Sequence, residues 1–212
     1  MLVILGESEN DRVALLELLR AICPRAKATV LRTPMVLIKN ASPASAPKHA
    51  DKVAEAVRAV AARGRVQCVF AHEDADAQEP ADQVVAKRIE DALTRAGTPG
   101  TVHAVVPAWE IEAWWFMWPD LVASCCKSWK QPIVGTRPGQ IANAKEKLAR
   151  AVRPANQTPD ERKRFRDYAE SDSITIARAI RSSARHDEPK RGLCPSYDRF
   201  RDGASSCCAA QT

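Results

Sequence analysis

The stretch Val66-Gln-Cys-Val-Phe-Ala-His-Glu-Asp-Ala-Asp76 decides the fold, because an apolar run typical of a buried strand passes directly into acidic residues. Two other runs repeat this arrangement, Leu2-Val-Ile-Leu5 before Glu7 and Val102-His-Ala-Val-Val106 before Glu110. Short apolar runs of this kind are expected for strands buried on both faces of a parallel sheet. Helical patterns separate them, so the sequence predicts an α/β fold with a mostly parallel sheet flanked by helices.

The elements between these strands follow from apolar spacing and from helix-breaking residues. A helix is predicted after the first strand and ends at Pro24, and Thr29-Val-Leu-Arg32 is typical of a second strand. A second helical stripe ends near Gly64, and a third helix is predicted from Pro80 to Gly97. Strand and helix therefore alternate through the first half of the chain.

Acidic residues follow three of the predicted strands. In an open parallel sheet the carboxyl ends of the strands meet at one edge, so these side chains should converge although the chain separates them. Crowded carboxylates raise one another's pKa unless a cation lies between them, and Mg²⁺ and Mn²⁺ prefer oxygen ligands. The sequence therefore predicts a divalent-metal site. Its candidate acids are Glu7, Glu9, Asp11, Glu73, Asp74, Asp76, Glu110 and Glu112.

The two parts of the chain differ in charge. The whole chain has a formal net charge of +6. Residues 1–120 hold 14 Lys and Arg against 16 Asp and Glu, whereas residues 121–212 hold 18 Lys and Arg against 10 Asp and Glu. A basic surface beside an acidic pocket suits a polyanion, and DNA or RNA is the commonest one. Lys145, Lys147 and Arg150 are the candidates for phosphate contacts. The alternative is that the basic residues only form a solvated face.

Two regions are predicted from this change of pattern. Residues 1–118 are expected to form the α/β unit, and residues 119–212 a basic helical appendage packed on it. Helices are expected within 141–152 and 162–184, and a disordered tail from about residue 203.

Composition excludes several classes of protein. No stretch of the 212 residues approaches the roughly 20 apolar residues of a membrane span. The first residues turn acidic at once instead of forming a secretory signal, so a cytoplasmic location is expected. The seven cysteines lack the Cys-x-x-Cys spacing of zinc sites, and their odd number disfavours a complete disulfide framework, so reduced thiols are expected.

Two motifs resemble the Toprim signature of topoisomerases, primases and OLD-family nucleases: Glu7-Ser-Glu-Asn-Asp11 after the first strand and Asp74-Ala-Asp76 after the third. The resemblance covers residues 1–118. It implies that Glu7, Asp74 and Asp76 are catalytic and that two Mg²⁺ or Mn²⁺ ions activate water for phosphodiester hydrolysis. The residues it assigns to metal are Glu7, Asp11, Asp74, Asp76 and Glu110.

The first motif can be aligned in two ways. Ser8 stands where the family usually has glycine. If Gly6 takes the glycine place instead, Glu9 rather than Glu7 is the ligand.

The secondary candidates are Glu9, His72 and Glu112. On a helix, Glu110 and Glu112 diverge by about 200°, so Glu110, nearer the strand end, is favoured. His72 lies beside the second motif and either assists proton transfer or is a hydrogen-bonded structural histidine.

The leading hypothesis is a metal-dependent nuclease acting on DNA or RNA. Its resemblance to OLD-like and small stand-alone Toprim proteins implies an effector of bacterial defence against phage that works beside an ATPase. This chain lacks a Gly-x-x-x-x-Gly-Lys-Ser/Thr loop, so the ATPase would be a separate subunit. Topoisomerase activity is disfavoured because the two tyrosines, Tyr168 and Tyr197, lie outside the predicted α/β unit.

Two alternatives belong to other classes. One is a catalytically inactive Toprim-like interaction subunit, which the departure at Ser8 supports. The other is a receiver-like phosphoacceptor module, which would require a lysine followed by proline after a fifth strand. The sequence contains no such dipeptide at that place.

Overall fold

The computed structural model of this protein describes residues 1–155 and 158–209. Its strands are β1 (Leu2–Leu5), β2 (Ala28–Val30), β3 (Cys68–His72) and β4 (Thr101–Val105). Its helices are α1 (Glu9–Ile22), α2 (Ala46–Ala61), α3 (Ala81–Arg95), α4 (Glu112–Trp115), α5 (Pro119–Ser124), α6 (Ala144–Ala151), α7 (Pro159–Arg164), α8 (Asp172–Ser182) and α9 (Pro195–Ala209).

Within the described residues, the four strands form one parallel sheet in the order β2-β1-β3-β4. Leu5 at the end of β1 pairs with Ala71, which in turn pairs with Ala104 on β4. The carboxyl ends of these three strands therefore lie side by side. The predicted α/β fold with a parallel sheet flanked by helices is confirmed.

Alternate residues of each strand enter two separate cores, as the pleat requires. One face of the sheet packs against α1 and the C-terminal helices, through residues that include Leu2, Ile4, Phe70 and Val105. The other face packs against α2 and α3, through residues that include Val3, Leu5, Val69 and Ala71. Both faces are buried, which explains why the strands are apolar without alternation.

Strand β3 begins and ends two residues later than the apolar run Val66–Phe70 predicts. Its length is set by pairing with β1 and β4, and His72 pairs with Val105 as the last residue of the ladder. His72 therefore belongs to the sheet and is fully buried. β2 has only three residues, because its partner β1 offers only four.

The C-terminal region contributes to the main core, and two details of its prediction are wrong. Residues 203–209 are not a disordered tail but the last turns of α9. Tyr197, Phe200, Ala204 and Cys207 form a buried stripe at spacings of three, four and three, and this stripe packs in the same core as β1 and β3. Residues 210–212 lie outside the described residues.

The predicted helix over 162–184 is interrupted between α7 and α8. Asp172 accepts hydrogen bonds from the backbone N–H of Ala169 and from Arg166. These bonds fix a turn before α8, so the carboxylate competes with a continuous helix in this segment.

The expectation that the cysteines are reduced is also wrong. Cys23 is joined to Cys208 and Cys68 to Cys207, whereas Cys125, Cys126 and Cys194 are free. Adjacent cysteines in the last turns of α9 reach different elements, α1 and β3, which the spacing along the chain does not reveal.

None of the described helices combines the length and the apolar character that crossing a bilayer requires.

Candidate metal centre

The charge of Asp74 raises the pKa of acidic residues at the neighbouring strand ends. Burial, and after it the charge of Asp74, raises the pKa of Glu7 at the end of β1. Burial also raises the pKa of Glu110 and Glu112 after β4, and Asp74 adds to both shifts. Acids from three strand ends therefore influence one another, as the topology predicts.

The turn that carries Asp74 is fixed by backbone hydrogen bonds to the segment after β4. The N–H of Ala75 donates to the carbonyl of Pro107 at 3.0 Å, and that of Asp76 to Trp109 at 3.1 Å. Trp109 donates back to Ala77 at 2.9 Å. The acidic turn and the segment that begins the Glu110 region are therefore positioned together.

His72 lies directly beneath Asp74. Its Nε2 is 3.3 Å from Asp74 Oδ1, in an ion pair without the alignment of a hydrogen bond. Burial alone would lower the pKa of His72, but the close polar contact with Asp74, followed by the charges of Asp74, Asp11 and Glu7, outweighs it and raises that pKa to about 9. His72 is thus a protonated, buried positioning residue for Asp74 at neutral pH.

Gly6 allows this histidine to pack against the end of β1. A Cβ at this position would lie 3.0 Å from Arg12 Cγ and 3.4 Å from His72 Nδ1. Arg12 in turn donates to the Gly6 carbonyl at 2.9 Å. Gly6 is therefore explained by close packing.

The two candidates for the first-motif ligand occupy different places. Glu7 is partly buried beside Asp74. Glu9 begins α1, its side chain is 65% exposed, and it pairs with Arg32 at 3.6 Å. This geometry favours Glu7 over Glu9 as the ligand.

Asp11 forms the N-terminal cap of α1 together with Ser8. The backbone N–H of Asp11 donates to Ser8 Oγ at 3.1 Å, and Ser8 returns hydrogen bonds to Asp11 Oδ2 from its backbone at 3.2 Å and from its hydroxyl at 2.6 Å. This is a capping box. Ser8, which stands where the Toprim motif that this segment resembles has glycine, has a structural role, and one oxygen of Asp11 is already engaged.

Lys39 places an ammonium group among the acids of this edge. Its Nζ donates to the carbonyl of Asp74 at 2.6 Å and pairs with the carboxylate of Asp76, whose side chain is 66% exposed. Asp76 therefore faces Lys39, and with Glu7 the pair lines an open cleft of about 490 Å³. The backbone of Lys39 is held from both sides, by Glu73 and by Arg88.

Glu73 is an anchor for this loop. It is 2% exposed and accepts hydrogen bonds from the backbone N–H of Ile38 and of Lys39. The metal candidacy of Glu73 is therefore not supported, because its oxygens hold the segment between β2 and α2.

Glu110 caps a helix, and Glu112 is the more deeply buried of the pair. Glu110 Oε2 accepts from the backbone N–H of Lys145 at 2.9 Å, near the start of α6. Glu112 is 5% exposed, and burial with the charges of Asp74, Glu110 and Asp11 raises its pKa to about 7. The preference for Glu110 assumed that both acids lie on one helix, but α4 begins only at Glu112. The charge of Asp74 raises the pKa of both.

A chain of hydroxyl groups supports Glu112. Tyr168 donates to Glu112 Oε1 at 3.1 Å and lies 2.7 Å from Ser173 Oγ, which also accepts from Trp115 Nε1 at 2.9 Å. Trp115 itself is fully buried, as are Trp114 and Trp118. The C-terminal region thus contributes directly to the site.

The predicted phosphate-binding residues divide into two groups. Lys145 lies at the site, where it pairs with Glu170 at 2.8 Å and where Glu110 and Glu112 help to raise its pKa. Lys147 and Arg150 are exposed along α6. The basic helix therefore starts at the acidic edge and extends away from it.

The acids are neighbours but do not form a compact ligand cage. Among the described residues, no three carboxylates bring one oxygen each within 4.8 Å of one another. Asp11 and Glu110 are engaged in helix caps and Asp76 in an ion pair with Lys39. Asp74 Oδ1 is buried without an aligned hydrogen bond and faces His72 in an ion pair. Glu7 and Asp74 are the acids best placed to share a cation.

Sequence reasoning missed Lys39 and the support that Tyr168 gives to Glu112. Lys39 lies in a loop without a motif, and Tyr168 is 56 residues from its partner. Comparison with protein-family models, with curated proteins and with solved structures finds no match to this chain, so the Toprim resemblance rests on its motif residues.

Proposed function

We propose that this protein is a Toprim-like, Mg²⁺- or Mn²⁺-dependent nuclease that hydrolyses phosphodiester bonds of DNA or RNA. The observation that carries the proposal is Asp74, whose charge acts on Glu7, Glu110 and Glu112 at adjoining strand ends. The mutual repulsion of these carboxylates, of which Glu112 is buried and the others are partly buried, would be relieved by a divalent cation.

The donor set fits a hard cation at one position. Glu7 and Asp74 supply carboxylate oxygens, and Asp74 Oδ1 makes no aligned hydrogen bond, although it forms an ion pair with His72 at 3.3 Å. Such an ion, when bound, polarises a phosphate and lowers the pKa of its water. A second ion remains a proposal from the resemblance, because Asp11 and Glu110 each hold a helix cap with one oxygen and would bind the ion with the other.

The remaining groups have roles that follow from their charge. Lys39 and Lys145 both lie near these acids and would neutralise the charge of a phosphate backbone. Glu112, with a pKa of about 7, is suited to accept a proton from the attacking water. His72 would hold Asp74 in place.

The test is cleavage of plasmid DNA, single-stranded DNA and structured RNA with Mg²⁺ or Mn²⁺. Asp74→Asn, which keeps the shape and removes the charge, should lower cleavage by more than about 100-fold. Asp51→Asn, at an exposed position of α2, is the matched control and should cleave like the wild type. Cleavage that survives Asp74→Asn would refute the proposal.

The second candidate is an inactive Toprim-like interaction subunit, which the engagement of Asp11, Glu110 and Asp76 by the chain's own groups favours. Absence of manganese binding, measured by electron paramagnetic resonance, together with absence of cleavage of any substrate, would support it. Cleavage that appears only on addition of an ATPase subunit would instead support a partner-activated defence nuclease. A receiver-like module is disfavoured, since the described chain after β4 forms helices and no fifth strand.

A further inference from the structure

Four cysteines from three distant segments meet at the edge of the sheet opposite the acids. Cys208 is bonded to Cys23 at the end of α1, and Cys207 to Cys68 at the start of β3, across 185 and 139 residues of chain. The Cα atoms are 5.7 and 6.3 Å apart, within the range that disulfides require. Adjacent cysteines of one helix therefore fasten it to two elements of the α/β layer.

The two bonds differ in access. Cys208 is partly exposed, whereas Cys23, Cys68 and Cys207 are no more than 4% exposed. We call Cys23 with Cys208 the outer pair, because it contains the partly exposed cysteine, and Cys68 with Cys207 the inner pair. A reductant in solution reaches a sulfur of the outer pair first.

The surroundings of the inner pair bring α9 close to the sheet. His103 Nε2 lies 3.3 Å from Cys207 Sγ. Gly203 permits this approach, because a Cβ there would lie 2.8 Å from His103 Nδ1. Gln67 Nε2 also donates to the Cys207 carbonyl at 3.0 Å.

We propose that these four cysteines are a redox-controlled clamp that fastens the end of α9 and is opened in two steps by a dithiol. One thiolate of the dithiol attacks Cys208 Sγ, and the Cys208–Cys23 bond breaks with Cys23 leaving as a thiolate that takes up a proton. The second thiol of the dithiol then attacks the mixed disulfide and releases Cys208. The dithiol is oxidised to a disulfide, and two electrons and two protons pass to the protein. The inner pair follows by the same exchange.

The two disulfides of the clamp keep the last turns of α9 ordered. Both anchored elements present acidic-edge residues at their other ends, Glu7 and Ser8 before α1 and Asp74 after β3. The inference does not depend on the proposed nuclease activity, because its readouts are thiols and stability.

The experiment counts reactive thiols on the full chain after equilibration with increasing dithiothreitol. Samples are acid-quenched, alkylated in denaturant and weighed by intact mass. Three cysteines should be alkylated in the oxidised protein, then five, then all seven. Full reduction should lower the Tm by roughly 5–15 °C and increase hydrogen exchange over residues 203–209.

Paired variants identify each step. Cys23→Ser with Cys208→Ser should remove the first step and keep the second, and Cys68→Ser with Cys207→Ser should do the reverse. Cys125→Ser with Cys126→Ser, which changes free cysteines only, should keep both steps and the Tm shift.

Three results would overturn the clamp. The first is seven alkylated cysteines after equilibration with glutathione disulfide. The second is reduction of the inner pair before the outer one, or no change in Tm. The third is protection of the reduced protein by Zn²⁺, with a restored Tm, which would make Cys68, His103 and Cys207 a metal site, since their ligand atoms lie within 4.8 Å of one another.

Discussion

At the scale of single residues, Glu112 is an almost completely buried carboxyl group. Burial is the main reason why its pKa rises from 4.5 to about 7, and neighbouring acids add to the shift. The folded state therefore holds a proton that the unfolded state releases between these values. Since the folded pKa is the higher one, this carboxyl lowers stability progressively as the pH rises from about 4.5 to 7.

Glu112→Gln should remove this pH dependence. In the absence of divalent metal, the variant should be more stable than the wild type at pH 8 by about 1–3 kcal/mol and nearly equal to it at pH 4.5. Urea unfolding at both pH values measures the difference. Glu146→Gln, at an exposed position of α6, is the control. An equal effect of Glu112→Gln at both pH values would contradict the assignment.

At the scale of elements, two of the predicted metal ligands already belong to helix caps. Asp11 closes the capping box of α1, and Glu110 accepts from the first turn of α6. Carboxylates at helix N-termini are stabilising even without a ligand. The same residues that resemble a metal motif therefore also hold two helices.

Ser8→Ala should destabilise the protein by about 1 kcal/mol, because the N–H of Asp11 loses its acceptor. Ser8→Gly, which introduces the glycine of the Toprim motif that this segment resembles, should cost only a few tenths of a kcal/mol. Denaturant unfolding of both variants beside Ser182→Ala, at the exposed last residue of α8, measures the cap. Equal stability of Ser8→Ala and wild type would show that the box does not contribute.

At the scale of the whole molecule, α9 is part of the core. Phe200 is 2% exposed, and its ring lies 5.5 Å from that of Trp114 and 6.1 Å from that of Phe70. Trp114 also donates to Ser196 Oγ at 3.0 Å. The last helix therefore supports both the sheet and α4, which carries Glu112.

Phe200→Ala should lower the unfolding free energy by about 3–5 kcal/mol, because it leaves a cavity between the sheet and α4. Leu193→Ala, at a position that is 36% exposed, should have a much smaller effect. Urea unfolding, with the disulfides intact in every sample, provides the comparison. A cost below about 1 kcal/mol would mean that α9 is an appendage after all.

The sequence by itself determined the α/β class, the parallel sheet and the edge at which the acids gather, because apolar runs and helical periodicity are local signals of strands and helices. Only the tertiary structure decided that Lys39 lies among the acids, that Tyr168 supports Glu112 and that Cys207 and Cys208 reach different partners. These contacts join residues that are far apart in the chain, and no local pattern encodes them. The end of α9 was mistaken for a tail for the same reason: its small residues gain their stability only from the sheet and the disulfides they contact.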